Sequence, residues 1–412
     1  MTDDVGSASE TYWSRRGSMR IALVGAFPPQ EKGEAHYLGE YARALAARIG
    51  AEQLTVISQY ADRPGSAEWG GIAVERRIRD RTVSGMSYRP QRELADAVIA
   101  SRAQIAHLHY GPNKDYGGRL GEPLVRALQR LRQNGVRIVV TLHSLWMPRD
   151  VIDAARAAGL PRILHPLAVS YFGNFMRRLR AASDAFLCLT SGDDSPIARE
   201  FCEAYGLSDT GVEAHGCGIR FTDLPRTEDP LFLSFGFLRP DKGFEILLRA
   251  FDKYNRQGGR GRLLIVGRPQ SDGDKPYARH LLGLAKKLQP KLCSVEERFV
   301  DDAELEGLLK AASVIILPYL RNVGASGPLH HALGVGRAVI ATDVGHNAAL
   351  QDELTLVPPG DVEGLATALL RVGQSPAALK AEAARAQQAA AKRDWNRLIE
   401  KHLELYRRIS GE

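Results

Sequence analysis

A glycine-rich loop between a predicted strand and a predicted helix is well suited to hold an anion. The strand is the apolar, β-branched run 313–318 (SVIILP), and the loop is 322–327 (NVGASG). Pro328 follows and suits the first turn of a helix, because its missing N–H would have no partner there. Free backbone N–H groups at a helix N-terminus favour phosphate and similar anions. The alternative is an ordinary βαβ unit without a ligand.

Two cations lie in a second turn of this kind, R-P-D-K-G, between a predicted strand at 231–235 and a predicted helix at 244–256. The planar guanidinium of Arg239 can bind two phosphate oxygens at once, and Lys242 supplies a point charge. Such cations stabilise negative charge most strongly where water is excluded. The alternative is a solvent-exposed basic turn.

Alternating strands and helices position these loops and predict a parallel, doubly wound α/β architecture in two halves. The predicted strands of the first half are 20–26, 54–58, 72–75, 105–110, 136–143, 185–190 and 212–214. Those of the second half are 231–235, 262–266, 298–300, 313–318, 337–342 and 354–357. Between the halves lies a polar, proline-bearing stretch, 221–230. Helices at 376–392 and 394–409 close the chain.

The composition fits a globular protein, with 412 residues and 44% hydrophobic residues. No apolar run approaches the roughly 20 residues of a membrane span, and the first residues lack a secretory apolar core, so we expect a cytoplasmic protein. The net charge of +7 fits anionic small substrates or a membrane surface and requires no nucleic acid. The segment 162–180 mixes aromatic residues with arginines; it could dock on an anionic membrane, or simply pack as a helix between two strands.

Four blocks in order resemble the family 4 glycosyltransferases of GT-B fold. They are VGAFPPQEKGEAHYLGEYARALAARIG, then HLHYG with TLHSLW, then GFLRPDKGFEILLRAF, and finally LPYLRNVGASGPLHHALGVGRAVIATDVGH with LVPPGDVEGLATALL. The resemblance implies two Rossmann-like doubly wound domains facing across a cleft. With it we expect an acceptor-side domain (19–222) and a nucleotide-sugar-binding domain (223–385). The residues themselves predict a disordered leader (1–18) and a C-terminal helix crossing back to the first domain (386–412).

The resemblance also implies roles for individual residues. Arg239, Lys242 and His143 are the catalytic candidates, with His143 touching the transferred sugar. On the acceptor side the candidates are Glu34, His36 and His109. The predicted donor contacts are Gly33, Ser326, Gly327, Pro328, Leu329, His331, Phe299 and Val300. Ser326 and the N–H groups of Gly327 and Leu329 are expected to bind phosphate, unless Ser326 only caps the helix. Thr190 and Ser191 are weaker candidates.

The chain departs from the family pattern in the fourth block. Val323 and His331 stand where many relatives carry two glutamates that contact the sugar and the ribose. His331 could still bond a ribose hydroxyl, and A-S-G-P resembles the serine-glycine loop of another subset. Phe237 stands where many relatives have an arginine, and Lys32 where many have a second glycine.

No metal or cofactor is predicted. Asp272-Gly273-Asp274 matches a D-x-D metal motif but lies in a polar loop that favours a surface turn. His107 and His109 share one face of a predicted strand, where a core or cleft-edge role is the simpler explanation. The adjacent His330 and His331 should point apart on a helix. The four cysteines have no metal-type spacing.

The predicted function is transfer of a hexosyl-type sugar from a nucleoside diphosphate sugar to an acceptor hydroxyl, with retention and without a metal. The acceptor would be a small molecule or a lipid-linked glycan, and the sequence specifies no oligomeric state. Two alternatives stay open: a nucleotide-sugar-binding protein without transferase activity, and a GT-B nucleotide-sugar epimerase. An epimerase would need carboxylates poised for proton transfer.

Overall fold

The computed structural model describes residues 19–30, 33–60, 62–79, 89–111, 122–225, 229–289, 291–321 and 324–411. They form two compact units. The first contains the chain up to Leu189, Ala198–Glu213 and Leu398–Glu412, and the second contains Thr190–Ile197 and Ala214–Arg397. The predicted leader, 1–18, lies outside the described residues.

The first unit is built on an eight-stranded sheet in the order β3-β4-β2-β1-β5-β6-β7-β8. Its strands are β1 (Ile21–Val24), β2 (Leu54–Tyr60), β3 (Gly65–Trp69), β4 (Ile72–Arg79), β5 (Ile105–Tyr110), β6 (Arg137–Leu142), β7 (Ala185–Thr190) and β8 (Gly211–Ala214). The edge strand β3 pairs antiparallel with β4, while the pairs from β4 through β7 are parallel. Every residue of β1 and β5 is buried, as expected for strands covered on both faces.

Helices connect these strands. They are α1 (Gly33–Ile49), α2 (Arg89–Ala100), α3 (Glu122–Gln133), α4 (Pro148–Ala157), α5 (His165–Ala181) and α6 (Pro196–Tyr205). The last helix of the chain, α13 (Trp395–Ser410), contributes its residues from Leu398 onward to the same unit.

A closed ring of buried polar side chains ties α13 into the first unit. Its members are Glu213, His402, Tyr41, Tyr406, His107 and Thr141. The Nδ1 of His402 lies 2.7 Å from the Tyr41 hydroxyl, which lies 2.7 Å from that of Tyr406. The Tyr406 hydroxyl is 2.6 Å from His107 Nδ1. The His107 Nε2 is 2.8 Å from the Thr141 hydroxyl, which donates to the Glu213 carboxylate over 3.2 Å. The His402 Nε2 closes the ring on the same carboxylate.

The members of the ring satisfy one another's hydrogen-bonding groups in the buried interior of the unit. Burial lowers the pKa of His107 well below its usual value, which keeps that imidazole neutral. The ring is thus a satisfied polar network in a position where an unpaired polar group would be costly.

The second unit contains a six-stranded, fully parallel sheet in the order β11-β10-β9-β12-β13-β14. Its strands are β9 (Leu231–Phe235), β10 (Arg262–Gly267), β11 (Cys293–Glu297), β12 (Val314–Leu317), β13 (Ala338–Thr342) and β14 (Thr355–Val357). Its helices are α7 (Phe244–Arg256), α8 (Lys275–Leu288), α9 (Asp302–Ala311), α10 (Gly327–Gly334), α11 (Val362–Gly373) and α12 (Pro376–Lys392).

Apolar clusters cover both faces of this sheet. Phe232 and its neighbour Val314 belong to one cluster, and the next pair along, Leu233 and Ile315, belongs to the other. Successive strand residues point to opposite faces, so both faces are buried. The order of the strands reverses between β9 and β12, which makes this pair the topological switch point of the sheet.

The predicted fold class is confirmed: the chain forms two Rossmann-like α/β units of the GT-B type. The prediction of a strand at 298–300 is wrong. The strand is β11, whose inward residues are Cys293 and Val295, while Arg298 follows it and pairs with Glu296 and Glu304. The sequence analysis also missed β3, whose largely exposed residues carry no apolar alternation.

No helix among the described residues is long and apolar enough to cross a membrane.

We expect His402→Ala to lower the free energy of unfolding by about 3–5 kcal/mol, because it removes the imidazole that bonds both the buried Glu213 carboxylate and the buried Tyr41 hydroxyl. Urea denaturation followed by circular dichroism would measure this. Glu404→Ala, an exposed change on the same helix, is the matched control and should be nearly neutral. Equal stability of the two variants would show that the ring does not hold α13 in place.

Candidate active site

The loops that follow β9 and β12 meet at the switch point of the second unit. The N–H of Leu320 donates to the carbonyl of Asp241 over 2.8 Å, and the N–H of Arg321 donates to the same oxygen over 3.4 Å. Open α/β sheets bind ligands at this position, where the connections leave the sheet in opposite directions. The two stretches that the sequence analysis selected are therefore brought together.

Gly243 permits this close approach. Its φ is +67°, in the left-handed region, and a Cβ atom built there would lie 1.9 Å from the carbonyl oxygen of Pro318. Any other residue would meet both backbone strain and a steric clash. Gly243 thus fixes the turn that carries Lys242 against the end of β12.

Lys242 is held by an aromatic ring of the opposite loop. Its Nζ lies 3.8 Å from the centroid of the Tyr319 ring, a cation–π contact. The Tyr319 hydroxyl lies 3.2 Å from the Oγ of Ser326. Tyr319, which is fully buried, therefore connects the lysine to the N-terminus of α10. Tyr319 was not among the predicted site residues, because its role depends on a contact between two loops that are distant in the chain.

Ser326 caps α10. Its Oγ accepts the N–H of Leu329 over 3.3 Å, so that N–H, assigned from the sequence to a phosphate, is bonded within the helix cap here. Pro328 occupies the first turn, as predicted, and Gly327 begins the helix. The positive end of the α10 dipole thus lies next to Lys242 and Tyr319. Val323 lies outside the described residues.

The two histidines of α10 point apart. His330 is buried, its Nδ1–H donates to the Ser326 carbonyl over 2.7 Å, and its ring stacks 4.0 Å from that of His215. Burial lowers the pKa of His330 well below its usual value, so the ring is neutral. His331 is half-buried, in the next position along the helix. The described residues contain no group of three or more metal-ligating side chains.

Arg239 lies on the other side of the same turn. Its Nε and Nη2 donate to the two carboxylate oxygens of Asp241, each over 2.8 Å, and its Nη1 donates to Gln270. These contacts use three of the five guanidinium donors and orient the remaining two. Arg239 and Lys242 are therefore braced by different partners, a carboxylate and an aromatic ring.

Phe299 follows β11 and is 46% exposed, a large fraction for an aromatic ring. The guanidinium carbon of Arg268 lies 5.4 Å from the Phe299 centroid and 6.0 Å from that of Phe237. A guanidinium thus lies beside Phe237, the position where many relatives carry an arginine. Val300, the next residue, is half-buried. Arg268 was missed by the sequence analysis, since it is one of many arginines and follows a different strand.

In the first unit, His109 and His143 are neighbours at the carboxyl ends of β5 and β6. The Nδ1 of His109 lies 3.0 Å from the Nε2 of His143, and the Tyr37 ring meets that of His143 edge-on at 4.8 Å. Burial lowers the pKa of both histidines, although the charges of Glu34 and Glu213 partly oppose this at His143. Neutral imidazoles can both donate and accept hydrogen bonds.

The remaining first-unit candidates lie in the first turn of α1. Gly33 is its first residue and is exposed, and Glu34 and His36 are half-buried. Thr190 and Ser191, by contrast, are fully buried. Their side chains therefore offer little surface to a ligand.

The D-x-D match is a surface turn. Asp272 pairs with Lys275 over 2.6 Å, and Asp274 accepts from both the N–H and the hydroxyl of Ser271. His107 belongs to the buried ring of the first unit, not to a surface site.

Residues 229–375, which include all six strands of the second unit, match the family described as "Glycosyl transferases group 1". The second unit is therefore similar to the group 1 glycosyltransferases. A phosphatidyl-myo-inositol mannosyltransferase of Mycolicibacterium smegmatis is 29% identical over 175 residues, which are 42% of this chain and 43% of that protein. The alignment therefore spans under half the length of that relative.

Similar solved structures cover nearly the whole chain. A sucrose-phosphate synthase from Thermosynechococcus elongatus is 19% identical with a TM-score of 0.70, covering 95% of this chain and 99% of that one. A UDP-forming trehalose-phosphate synthase from Burkholderia xenovorans is 15% identical with a TM-score of 0.66, covering 95% and 99%. At these identities the likeness defines the fold.

We expect Gly243→Ala to destabilise the second unit by about 2–5 kcal/mol, the sum of left-handed strain and overpacking against Pro318. Gly258→Ala is the matched control: its φ of +87° imposes similar strain, but no atom lies within 4 Å of an added Cβ. The control should cost only about 1–2 kcal/mol. Urea denaturation of both variants measures the difference, and equal losses would mean that the contact with Pro318 is unimportant.

Proposed function

We propose that this protein transfers a hexosyl-type sugar from a nucleoside diphosphate sugar to an acceptor hydroxyl, with retention and without a metal ion. The observation that carries the proposal is the contact chain Lys242–Tyr319–Ser326 at the switch point of the second sheet. It places a cation beside a helix N-terminus, the combination that a diphosphate needs. The match to group 1 glycosyltransferases over this same region supports the assignment.

Negative charge grows on the diphosphate oxygen as the bond to the sugar breaks. Lys242 and the two free donors of Arg239 would stabilise that charge, with the N-terminus of α10 adding its dipole. Both cations are held by the protein before any ligand arrives, so little reorganisation is needed during the reaction. The bracing of Lys242 by a buried ring and of Arg239 by Asp241 is the structural basis of this step.

The base and ribose of the donor would lie near the residues that follow β11 and near α10. The exposed ring of Phe299, backed by Arg268, offers a flat surface for the base, and His331 offers a ring nitrogen to the ribose. The backbone of Phe299 and Val300 would complete this part of the site. These groups would not distinguish uridine from guanosine.

We further propose that the first unit supplies the acceptor side, through His143, His109 and the first turn of α1. The neutral His143 would hydrogen-bond sugar hydroxyls without a charge of its own. Displacement would occur on the face that the diphosphate leaves, and the departing diphosphate would take the acceptor proton. The acceptor would be either a small molecule or a lipid-linked glycan; the mycobacterial relative is named for a lipid, phosphatidyl-myo-inositol.

We expect Lys242→Ala and Arg239→Ala each to lower turnover by more than about tenfold, as loss of an electrostatic contact in a dry site should. Purified protein would be incubated with radiolabelled UDP-hexoses and GDP-hexoses, and slow release of free sugar measured with and without EDTA. Arg249→Ala, an exposed residue of α7 paired with Glu245, is the matched control and should retain full activity, as should the EDTA-treated enzyme.

Four outcomes would contradict this assignment. Full activity of both variants would remove the two cations from the site, and loss of activity in EDTA would show that a metal is required. Formation of an epimeric nucleotide sugar would indicate the isomerase, and binding without turnover would indicate a binding protein.

We expect His331→Ala to raise the apparent KM for the donor about tenfold, equivalent to roughly 1.4 kcal/mol, if the ring bonds the ribose. Turnover at saturating donor should change less, because this contact is similar in the ground and transition states. Steady-state kinetics and the melting temperature of the same variant decide the matter. An unchanged KM with a lowered melting temperature would show that His331 only packs against its neighbours.

A further inference from the structure

The first unit carries a concentrated exposed apolar surface where α4 leads into α5. Among the described residues, nine large hydrophobic side chains are exposed, and five of them lie within this short stretch. They are Leu160, Ile163, Leu164, Leu167 and Tyr171, which we call the α4–α5 apolar surface. Ile163 is 86% exposed and Leu167 is 65% exposed. Contiguous apolar exposure of this kind marks an interaction site more often than a single exposed residue does.

The helical spacing of these residues explains the surface. Ile163, Leu167 and Tyr171 are four residues apart and share one side of the helical turns, whereas Met176 and Leu179 are buried. Only the second half of α5 therefore packs into the unit as an ordinary connecting helix does. Its first half turns apolar residues outward.

Hydrogen bonds hold the connecting turn in a defined shape. Gly159 adopts a φ of +78°, and the N–H of Leu160 donates to the carbonyl of Ala155 over 2.9 Å, which together end α4 in a Schellman motif. The buried His165 ring donates through Nε2–H to the carbonyl of Leu160 over 3.1 Å. Ile163 is thus presented by an ordered turn and not by a frayed helix end, which reduces the entropy lost when a partner binds.

The segment that carries the surface is basic. Residues 154–182 contain no aspartate or glutamate and five arginines, Arg156, Arg162, Arg177, Arg178 and Arg180. Arg162 adjoins Ile163 and is exposed, as is Arg178 further along α5. Arg177 donates to the main-chain carbonyl of Tyr205. Two of the five arginines pair with carboxylates just outside the segment, Arg156 with Asp153 over 3.2 Å and Arg180 with Asp209 over 3.9 Å.

We propose that the α4–α5 apolar surface docks on a membrane bearing anionic lipids. The protruding apolar side chains would enter the boundary between headgroups and acyl chains, and the arginines would meet the lipid phosphates. The exposed Arg162 beside Ile163 and the basic segment favour this partner over a second copy of the same surface, whose arginines would repel one another. The proposal goes beyond sugar transfer, since docking requires no donor and no turnover.

Co-sedimentation with vesicles tests the proposal on the full chain. We expect binding to vesicles of phosphatidylcholine with phosphatidylglycerol, weaker binding at high salt, and little binding to phosphatidylcholine alone. Ile163→Glu with Leu167→Glu should reduce the bound fraction more than about tenfold, because both charges would enter an apolar layer. Ile219→Glu, an exposed apolar residue of the second unit, is the matched control and should bind as the unchanged protein does.

Three results would overturn the proposal. The first is no binding to the anionic vesicles, and the second is equal binding by the double variant. The third is self-association in sedimentation velocity that the double variant abolishes without any vesicle binding, which would assign the surface to a second copy. Lys242→Ala should dock normally even where sugar release is lost, so failure of the proposed activity and failure of docking are distinguishable.

Discussion

A main-chain hydrogen bond, from the N–H of Leu320 to the carbonyl of Asp241, fixes the geometry of the candidate site. It joins the loop after β9 to the loop after β12 at the point where the sheet connections diverge. Gly243 allows the two backbones to approach, and Lys242 then reaches Tyr319 and, through it, the cap of α10. The site thus depends on backbone geometry first and on side-chain chemistry second.

Arg239 and Lys242 are held by different kinds of partner, and each partner suits the way in which its cation would bind a diphosphate. Asp241 offsets part of the charge of Arg239 while fixing its plane, which suits a residue that must recognise two oxygens. Tyr319 attracts Lys242 without neutralising it, so the full point charge remains available to an anion. Preorganised charge of both kinds is what stabilisation of a leaving diphosphate requires.

The sequence predicted best those helices and strands whose formation depends on neighbouring residues alone. The apolar run before Pro318 and the proline at 328 located β12 and α10, because burial on both faces and the first turn of a helix each have a sequence signature. Contacts between distant segments had no such signature. Tyr319 and Arg268 were missed, residues 298–300 were assigned to a strand that ends at Glu297, and the partners of His107 on α13 could not be inferred.

The polar ring of the first unit has a consequence for biosynthesis. Tyr41 and its partner His402 are separated by 361 positions, so nearly the whole chain must leave the ribosome before they can meet. Until then the Glu213 carboxylate lacks the imidazole that it bonds in the native state. The second unit, which consists of Thr190–Ile197 and Ala214–Arg397, is synthesised entirely within that interval. The unit that begins first in the chain is therefore the one that completes its core last, and the nascent protein must keep that core from aggregating while the other unit folds.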